Sequence, residues 1–133
     1  LRVEIQEFGD YINTNVVKVI CDNQDMAIYF SRHPIPFYRG KQALLEQWKN
    51  QGFRPAELLP PPYKHLGIYG FRSNFLNALV HLPPSMLEQA EKLEQLRALV
   101  WGFRIKVPET AYDSVSVDTP EDLEKVRKMM GET

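Results

Sequence analysis

Residues 85–101 carry the pattern that most restricts how this chain can fold. Ser85 and Glu88 form a capping-box pattern after two prolines, and Gly102 follows as a natural helix stop. At about 100° per residue, the apolar residues between them fall on one stripe: Met86, Ala90, Leu93, Val100 and Trp101. We therefore predict a single amphipathic helix over residues 85–101 whose stripe packs against the rest of the molecule.

Two opposite charges interrupt the apolar side of this predicted helix. Arg97 lies near the centre of the stripe and Glu94 towards its flank, whereas Gln95 points nearly opposite the centre. A desolvated charge is costly unless it is paired. Glu94 and Arg97 are i, i+3 neighbours, so they could pair with each other. The pattern therefore leaves two interpretations open, a structural ion pair or the lining of a polar ligand pocket.

Strand-like and helical segments alternate along the chain. Residues 16–21 and Ala27–Ser31 flank a polar turn and predict a β-hairpin. Residues 33–62 are rich in proline and predict a long excursion that contains a helix over 40–51. The other predicted elements are a strand over 65–71, a helix over 73–81, short strands over 103–107 and 114–117, and a closing helix over 119–130. This alternation indicates one α/β domain over residues 1–133 with a mixed sheet.

Composition excludes several classes of protein. The chain has 133 residues, of which 44% are hydrophobic, enough for one modest domain with a core. Its 16 Lys and Arg against 17 Asp and Glu give no basic footprint for nucleic acid, and no run is apolar and long enough to span a membrane. The single cysteine, Cys21, excludes an intrachain disulfide framework and fits a reducing compartment. The chain starts at Leu1 and enters strand-like sequence at once, which suggests a piece of a longer protein or a processed or trimmed terminus.

The predicted strand over 65–71 carries the first candidate site residues. Alternation along a strand places His65 and Tyr69 on one face, on either side of Gly67, and puts Ile68 on the core face. A glycine between the imidazole and the phenol would let a ligand approach the backbone closely. The pattern also fits, and by itself favours, an ordinary structural histidine and tyrosine.

Two further side chains could bind an ion or a charged ligand. Asp118 follows a strand-like run, and Thr119 already supplies the cap of the closing helix, so the Asp118 carboxylate could bind a hard cation such as Mg²⁺. Ordinary turn chemistry would explain the same aspartate. Arg32 closes the second strand of the hairpin, where its guanidinium could bind a carboxylate or a phosphate. The sequence has no glycine-rich phosphate loop, zinc-ligand pattern or Gly-x-Ser-x-Gly elbow.

Four blocks of sequence are characteristic enough to compare with known families. They are V-V-K-V and A-I-Y-F-S-R-H-P-I-P within residues 16–36, H-L-G-I-Y-G-F-R over 65–72, L-E-Q-A-E-K-L-E-Q-L-R over 87–97, and V-D-T-P-E-D-L over 117–123. In this order they resemble bacterial CMP-Kdo synthetases, which are 3-deoxy-manno-octulosonate (Kdo) cytidylyltransferases. Residues 40–62 look longer and more idiosyncratic than the corresponding segment of that family.

The resemblance implies a Rossmann-like nucleotidyltransferase fold and a cytosolic, generally homodimeric enzyme. Such an enzyme joins CTP and Kdo into CMP-Kdo and pyrophosphate with Mg²⁺, for lipopolysaccharide synthesis. The resemblance also implies site residues, with Asp118 as a metal ligand and a sugar-acid site formed by Arg32, His65, Tyr69, Glu94 and Gln95.

The resemblance covers only the C-terminal half of that family's chain. Its nucleotide-binding loop and its other metal-binding aspartate belong to the N-terminal half, and neither motif occurs here. We therefore expect residues 1–133 alone to have no cytidylyltransferase activity. Two other interpretations remain open: a synthetase for another sugar acid, such as a sialic acid, and a non-catalytic dimerisation or binding domain in which Glu94 and Arg97 form a structural salt bridge.

Overall fold

One four-stranded sheet organises the chain, of which the computed structural model describes residues 1–113, 117 and 120–131. The strands are β1 (Arg2–Glu4), β2 (Lys18–Cys21), β3 (Ala27–Ser31) and β4 (Tyr63–His65). Their order across the sheet is β1–β4–β2–β3, and every neighbouring pair is antiparallel. A single parallel bridge joins Arg2 to Glu109. The predicted α/β class is confirmed, but the ladders between the described strands are all antiparallel, where a mixed sheet was predicted.

Most of the helices are short. In the part of the chain that the structure describes they are α1 (Phe8–Ile12), α2 (Gln42–Gln51), α3 (Ser73–Leu79), α4 (Met86–Glu91), α5 (Gln95–Val100) and α6 (Pro120–Met129). α2, α3 and α6 fall within segments predicted to be helical, whereas α1 has no counterpart in the prediction. Over the described residues, no helix has the length and hydrophobicity that crossing a membrane requires.

The hairpin predicted from the two strand-like runs is confirmed. β2 pairs with β3 so that Lys18 lies opposite Ser31. The Asp22 carboxylate closes the connecting turn, because its Oδ1 accepts the backbone N–H groups of Gln24 at 2.8 Å and Met26 at 2.9 Å. The closed turn fixes the register, and the register sets where the end of β3 lies.

The single helix predicted over residues 85–101 is wrong, because the chain divides it into α4 and α5. The predicted capping box is present: Ser85 Oγ accepts the Glu88 N–H at 3.1 Å, and the Glu88 carboxylate accepts the Ser85 N–H at 3.2 Å. Lys92 ends α4 in the left-handed region with φ 55°, and the next residue, Leu93, is buried in the core. Burial of Leu93 therefore outweighs the cost of a left-handed lysine.

The strand predicted over residues 65–71 is also wrong. β4 ends at His65, and residues 66–72 form a loop. The His65 N–H still donates to the Val17 carbonyl at 2.8 Å, and the Leu66 N–H donates to the Leu1 carbonyl at 2.9 Å. Beyond this point no described strand lies alongside, so the ladder ends. Ile68, expected in the core, is 68% exposed.

The short strands predicted near the C terminus are only partly described. Residues 103–107 make one isolated bridge, between Met26 and Lys106, instead of a strand. Residues 114–116 lie outside the described residues, as does Thr119 with its predicted helix cap.

Two clusters of buried side chains form the core. The first joins the hairpin to α5 and consists of Val19, Phe30, Leu93, Leu96 and Val107. The second consists of Ile5, Tyr11, Tyr38, Trp48 and Leu58. Trp48 is fully buried, and its Nε1 donates to the Gln6 carbonyl at 2.7 Å. The excursion over residues 33–62 therefore packs against the start of the chain through its own core side chains.

Candidate functional site

An open cleft of about 1390 Å³ lies at the end of β4. Its walls come from the loop after β4, from α3, from the turn between α4 and α5, and from residues 103–107. Four of the predicted site residues lie together in its lining: His65, Tyr69, Glu94 and Gln95. The fold thus brings the second and third recognised sequence blocks to one surface.

A series of aromatic rings forms one wall of the cleft. His65 and Tyr69 lie 5.3 Å apart between ring centroids, and Tyr69 stacks on Phe71 at 5.8 Å. Phe71 stacks on Phe75 at 6.0 Å, and Phe75 meets Phe103 edge-on at 4.9 Å. The sequence-based prediction did not identify Phe75 or Phe103 as site residues. No spacing could have done so, because a loop, a helix and a later segment converge only through tertiary packing.

The surroundings of His65 and Tyr69 set their protonation states. Burial, and secondarily the positive charge of the N-terminal amine, lower the pKa of His65 to about 4, so its imidazole is neutral at pH 7. Burial raises the pKa of Tyr69 to about 12, with the Glu94 carboxylate as a smaller cause, so its phenol keeps its proton. Within the described residues neither side chain hydrogen-bonds to another protein group. Both are therefore available to a ligand.

The Glu94 carboxylate belongs to the cleft and not to an ion pair with Arg97. Arg97 instead forms a two-point pair with Glu88, Nε to Oε2 at 2.9 Å and Nη2 to Oε1 at 2.5 Å. Among the described residues, Glu94 has no ion-pair partner and its side chain is exposed. The structural salt bridge between Glu94 and Arg97 is therefore absent from this structure.

Gln95 lines the cleft, although a continuous helix would have pointed it away from the apolar stripe. The difference follows from the break at Lys92. Because α5 is a separate helix that starts at Gln95, its residues no longer follow the rotation set by α4. Gln95 is half-buried and presents both a donor and an acceptor.

The lining carries more positive than negative charge. Its cationic residues are Arg72, Lys92, Arg104 and Lys106, and the acidic residue that it includes is Glu94. Lys106 Nζ donates to the Gln24 carbonyl at 3.1 Å and lies 3.9 Å from an Asp25 carboxylate oxygen. Arg104 Nη2 lies 3.7 Å from an Asp22 carboxylate oxygen. The hairpin turn thus partly neutralises these two cations, whereas Arg72 and Lys92 have no ion-pair partner among the described residues. An excess of cations beside hydrogen-bonding and aromatic side chains suits an anionic, hydroxylated ligand.

Arg32 lies outside the residues that line the cleft. Its Nε donates to the Glu91 carbonyl at 2.8 Å, its Nη1 to the Thr14 carbonyl at 3.0 Å and its Nη2 to the Lys92 carbonyl at 3.4 Å. The guanidinium is thus tied to the chain just behind the cleft, and contact between Arg32 and a substrate stays a prediction.

Asp118, the predicted metal ligand, lies outside the described residues. In the part of the chain that the structure describes, no three His, Cys, Asp or Glu side chains converge as a metal site. The described residues therefore offer no set of ligands for a divalent cation, and the Mg²⁺ assignment stays a prediction.

Known proteins resemble this chain in sequence and in structure. A family model for cytidylyltransferases matches residues 1–106. The 3-deoxy-manno-octulosonate cytidylyltransferase of Geobacter sulfurreducens is 50% identical over 126 residues, covering 95% of this chain and 48% of that protein. Its namesake in Thermodesulfovibrio yellowstonii is 46% identical over 130 residues, covering 98% of this chain and 47% of that protein. A solved structure of CMP:2-keto-3-deoxy-manno-octonic acid synthetase complexed with CTP matches with a TM-score of 0.79 and 36% identity, covering 98% of this chain and 47% of that one.

The matched region contains every residue that lines the cleft except Val107. Residues 1–106 include the four predicted residues that line it, and both the sequence and the structural likeness extend over almost the whole chain. The chain spans about half the length of the curated relatives it matches. On these grounds the chain belongs to the cytidylyltransferase family.

Proposed function

We propose that this chain is the sugar-acid-binding part of an enzyme that joins CTP and Kdo into CMP-Kdo and pyrophosphate, for lipopolysaccharide synthesis. The observation that carries the proposal is the cleft itself. It gathers His65, Tyr69, Glu94 and Gln95, and its lining has an excess of positive charge. Kdo is a polyhydroxylated acid, so it requires this combination of hydrogen-bonding groups and cations.

Each side chain has a role that its chemistry supports. The neutral imidazole of His65 and the protonated phenol of Tyr69 can donate to sugar hydroxyls. The Glu94 carboxylate accepts from hydroxyls, and the Gln95 amide does both. Arg72 supplies positive charge for the sugar carboxylate. Arg32 remains a candidate for binding the same carboxylate, through those guanidinium N–H groups that do not already donate to a backbone carbonyl.

In the proposed reaction the anomeric hydroxyl oxygen of Kdo attacks the α-phosphorus of CTP. The new oxygen–phosphorus bond forms as the bond between the α-phosphorus and the oxygen that bridges the α- and β-phosphates breaks. Pyrophosphate therefore leaves, and the hydroxyl proton is lost to water. An anionic sugar must approach an anionic triphosphate, so catalysis depends on positioning and on neutralising charge. The cationic lining contributes to both.

Three further parts of the proposal rest on the motifs and on general chemistry. Asp118 would supply one oxygen ligand to Mg²⁺, the hard cation that carboxylates and phosphates bind together. Such an ion neutralises charge on phosphate oxygens. A homodimer and a cytoplasmic location are proposed on the family resemblance and on the single cysteine.

A chimaera tests the proposed function. The first half of the Geobacter sulfurreducens relative would be joined to residues 1–133 at the start of the matched region. The chimaera should release pyrophosphate from CTP and Kdo, whereas residues 1–133 alone should release none. A soluble, folded chimaera that turns over no Kdo, or pyrophosphate release by residues 1–133 alone, would contradict the proposal.

The same assay decides between sugar acids. The relatives named above are Kdo enzymes, so we expect turnover with Kdo and far less with a sialic acid. Preferential turnover of the sialic acid would replace the proposed substrate. A folded chimaera that turns over neither Kdo nor the sialic acid would instead favour a non-catalytic domain.

A further inference from the structure

The Glu91 carboxylate connects the last turn of α4 to the end of β3. Its Oε1 accepts from Ser31 Oγ at 2.7 Å and from the Tyr29 hydroxyl at 3.1 Å, and its Oε2 accepts from the Arg32 N–H at 2.9 Å. Two bonds run in the opposite direction, because the Arg32 guanidinium donates to the carbonyls of Glu91 and Lys92. We call this reciprocal set of bonds the β3–α4 clamp.

The clamp holds a charged carboxylate in a partly buried place. Burial by itself would raise the pKa of Glu91, but the hydrogen bonds from Ser31, Arg32 and Tyr29 outweigh burial and leave the pKa below its usual value. Hydrogen bonds to an ionised acceptor are stronger than those between neutral groups. The clamp therefore holds the end of α4 against β3 through charge-assisted hydrogen bonds.

The clamp lies immediately before the turn whose residues line one side of the cleft. Glu91 is the last residue of α4, Lys92 follows in the left-handed region, and Leu93 enters the core beside the hairpin. Glu94 and Gln95 come next and line the cleft, which Glu91 does not. The position of Glu91 thus determines where the turn starts, and the buried Leu93 determines where it is anchored.

We propose that Glu91 is a positioning residue, which holds the Lys92–Gln95 turn so that Glu94 and Gln95 face the sugar acid. The consequence for binding rests on the proposed function, whereas the consequence for the turn does not. Glu91 acts here through the backbone and not by contact with a ligand.

Glu91→Gln is the informative substitution, because the side chain keeps its length. One carboxylate oxygen becomes an N–H₂ group, which would face a donor, either Ser31 Oγ or the Arg32 N–H. Glu46→Gln on the exposed side of α2 makes the same chemical change away from the cleft and serves as the control. Ser31→Ala removes one donor from the β3 side of the clamp.

Two measurements on the 133-residue chain separate positioning from general stability. Amide hydrogen exchange, measured without ligand, should become faster at Leu96 and Arg97, whose N–H groups bond to the carbonyls of Leu93 and Glu94. Calorimetric titration with Kdo should give a Kd raised by about tenfold in Glu91→Gln. Ser31→Ala should shift both quantities in the same direction, and Glu46→Gln should shift neither.

The outcomes distinguish the two proposals. Faster exchange with a raised Kd supports the positioning role. Exchange that is faster uniformly across the chain, with an unchanged Kd, shows that Glu91 contributes only to stability and overturns that role. If the unmodified chain binds no Kdo, the proposed function is contradicted, while the exchange pattern still decides whether Glu91 orders the turn.

Discussion

Three polar side chains determine what the cleft can bind at the scale of single residues. His65 is neutral and Tyr69 is protonated at pH 7, and Glu94 lies close enough to Tyr69 to affect its pKa. The cleft therefore offers donors to hydroxyl oxygens and a carboxylate to hydroxyl protons, over an aromatic wall. This arrangement suits the ring hydroxyls of a sugar acid better than a purely ionic ligand.

Glu94→Gln should weaken Kdo binding while leaving the fold intact. The Glu94 carboxylate is exposed and has no ion-pair partner among the described residues, so no structural bond is lost with its charge. We expect the Kd for Kdo to rise by about tenfold or more, with the melting temperature nearly unchanged. Calorimetric titration and thermal melts on the same samples measure both. A lowered melting temperature with an unaltered Kd would indicate a structural role instead.

His65 should make the stability of the chain fall in mild acid. The unfolded chain protonates this imidazole below about pH 6.5, whereas the folded chain does so only near pH 4. Stability is therefore lost as the pH falls from about 6.5 towards 4, by about 3 kcal/mol. Urea titrations over this range should show the free energy of unfolding of the chain falling relative to that of His65→Gln, which lacks the titrating imidazole. Parallel curves would show that the pKa of His65 is not lowered.

Single residues were easier to predict from the sequence than their exact surroundings. His65 and Tyr69 line the same cleft as predicted, although the strand alternation used to group them is wrong. Ring stacking through Phe71 keeps Tyr69 on this wall in the absence of a strand. Arg32 shows the opposite case, because its position at the end of β3 was predictable and its three carbonyl partners were not.

At the scale of elements, the break between α4 and α5 does most to shape the site. It turns Gln95 towards the cleft and gives Arg97 a partner in Glu88 instead of Glu94. The break could not be read from the sequence, since lysine is a good helix former and glycine is the usual residue at a left-handed helix end. Leu93 leaves the helix because the core beside the hairpin can bury it.

A comparison of Lys92→Gly with Lys92→Ala tests the break, because the sign of their stability difference depends on the backbone conformation at residue 92. In a continuous helix, a protein with glycine at an interior position is less stable than one with alanine there by up to about 1 kcal/mol. In the left-handed region the order reverses, because alanine keeps the Cβ that crowds the following carbonyl. We therefore expect Lys92→Gly to have a higher free energy of unfolding than Lys92→Ala, by about 1 kcal/mol. Denaturant titrations that give the reverse order would restore the single helix.

At the scale of the whole molecule, the described chain would supply one of the two sides that the proposed reaction needs. Its cleft gathers hydrogen-bonding, aromatic and cationic side chains, and the chain spans about half the length of the relatives that it matches. The α/β class and the hairpin followed from local sequence patterns, since each needs only neighbouring residues. The placement of the excursion over residues 33–62 could not be predicted from local patterns. Its side chains Tyr38, Trp48 and Leu58 are buried by contacts with the first residues of the chain.

Asp118→Asn should separate metal binding from sugar binding in the chimaera described above. An amide oxygen is a weaker ligand for Mg²⁺ than a carboxylate oxygen, so kcat should fall by about a hundredfold or more. The Kd for Kdo should change little, because the sugar is held by the cleft. Steady-state kinetics at several Mg²⁺ concentrations, with Kdo titrations as the control, measure both. Full activity in Asp118→Asn would exclude Asp118 as a ligand.

The proposed function requires Kdo to bind in the cleft, and an NMR titration of the 133-residue chain with Kdo measures this binding residue by residue. The backbone amide signals of His65, Tyr69, Glu94 and Gln95 should shift together and saturate together, while those of α2 stay in place. Shifts confined to another surface, or no shifts at high Kdo concentration in a folded sample, would contradict the account.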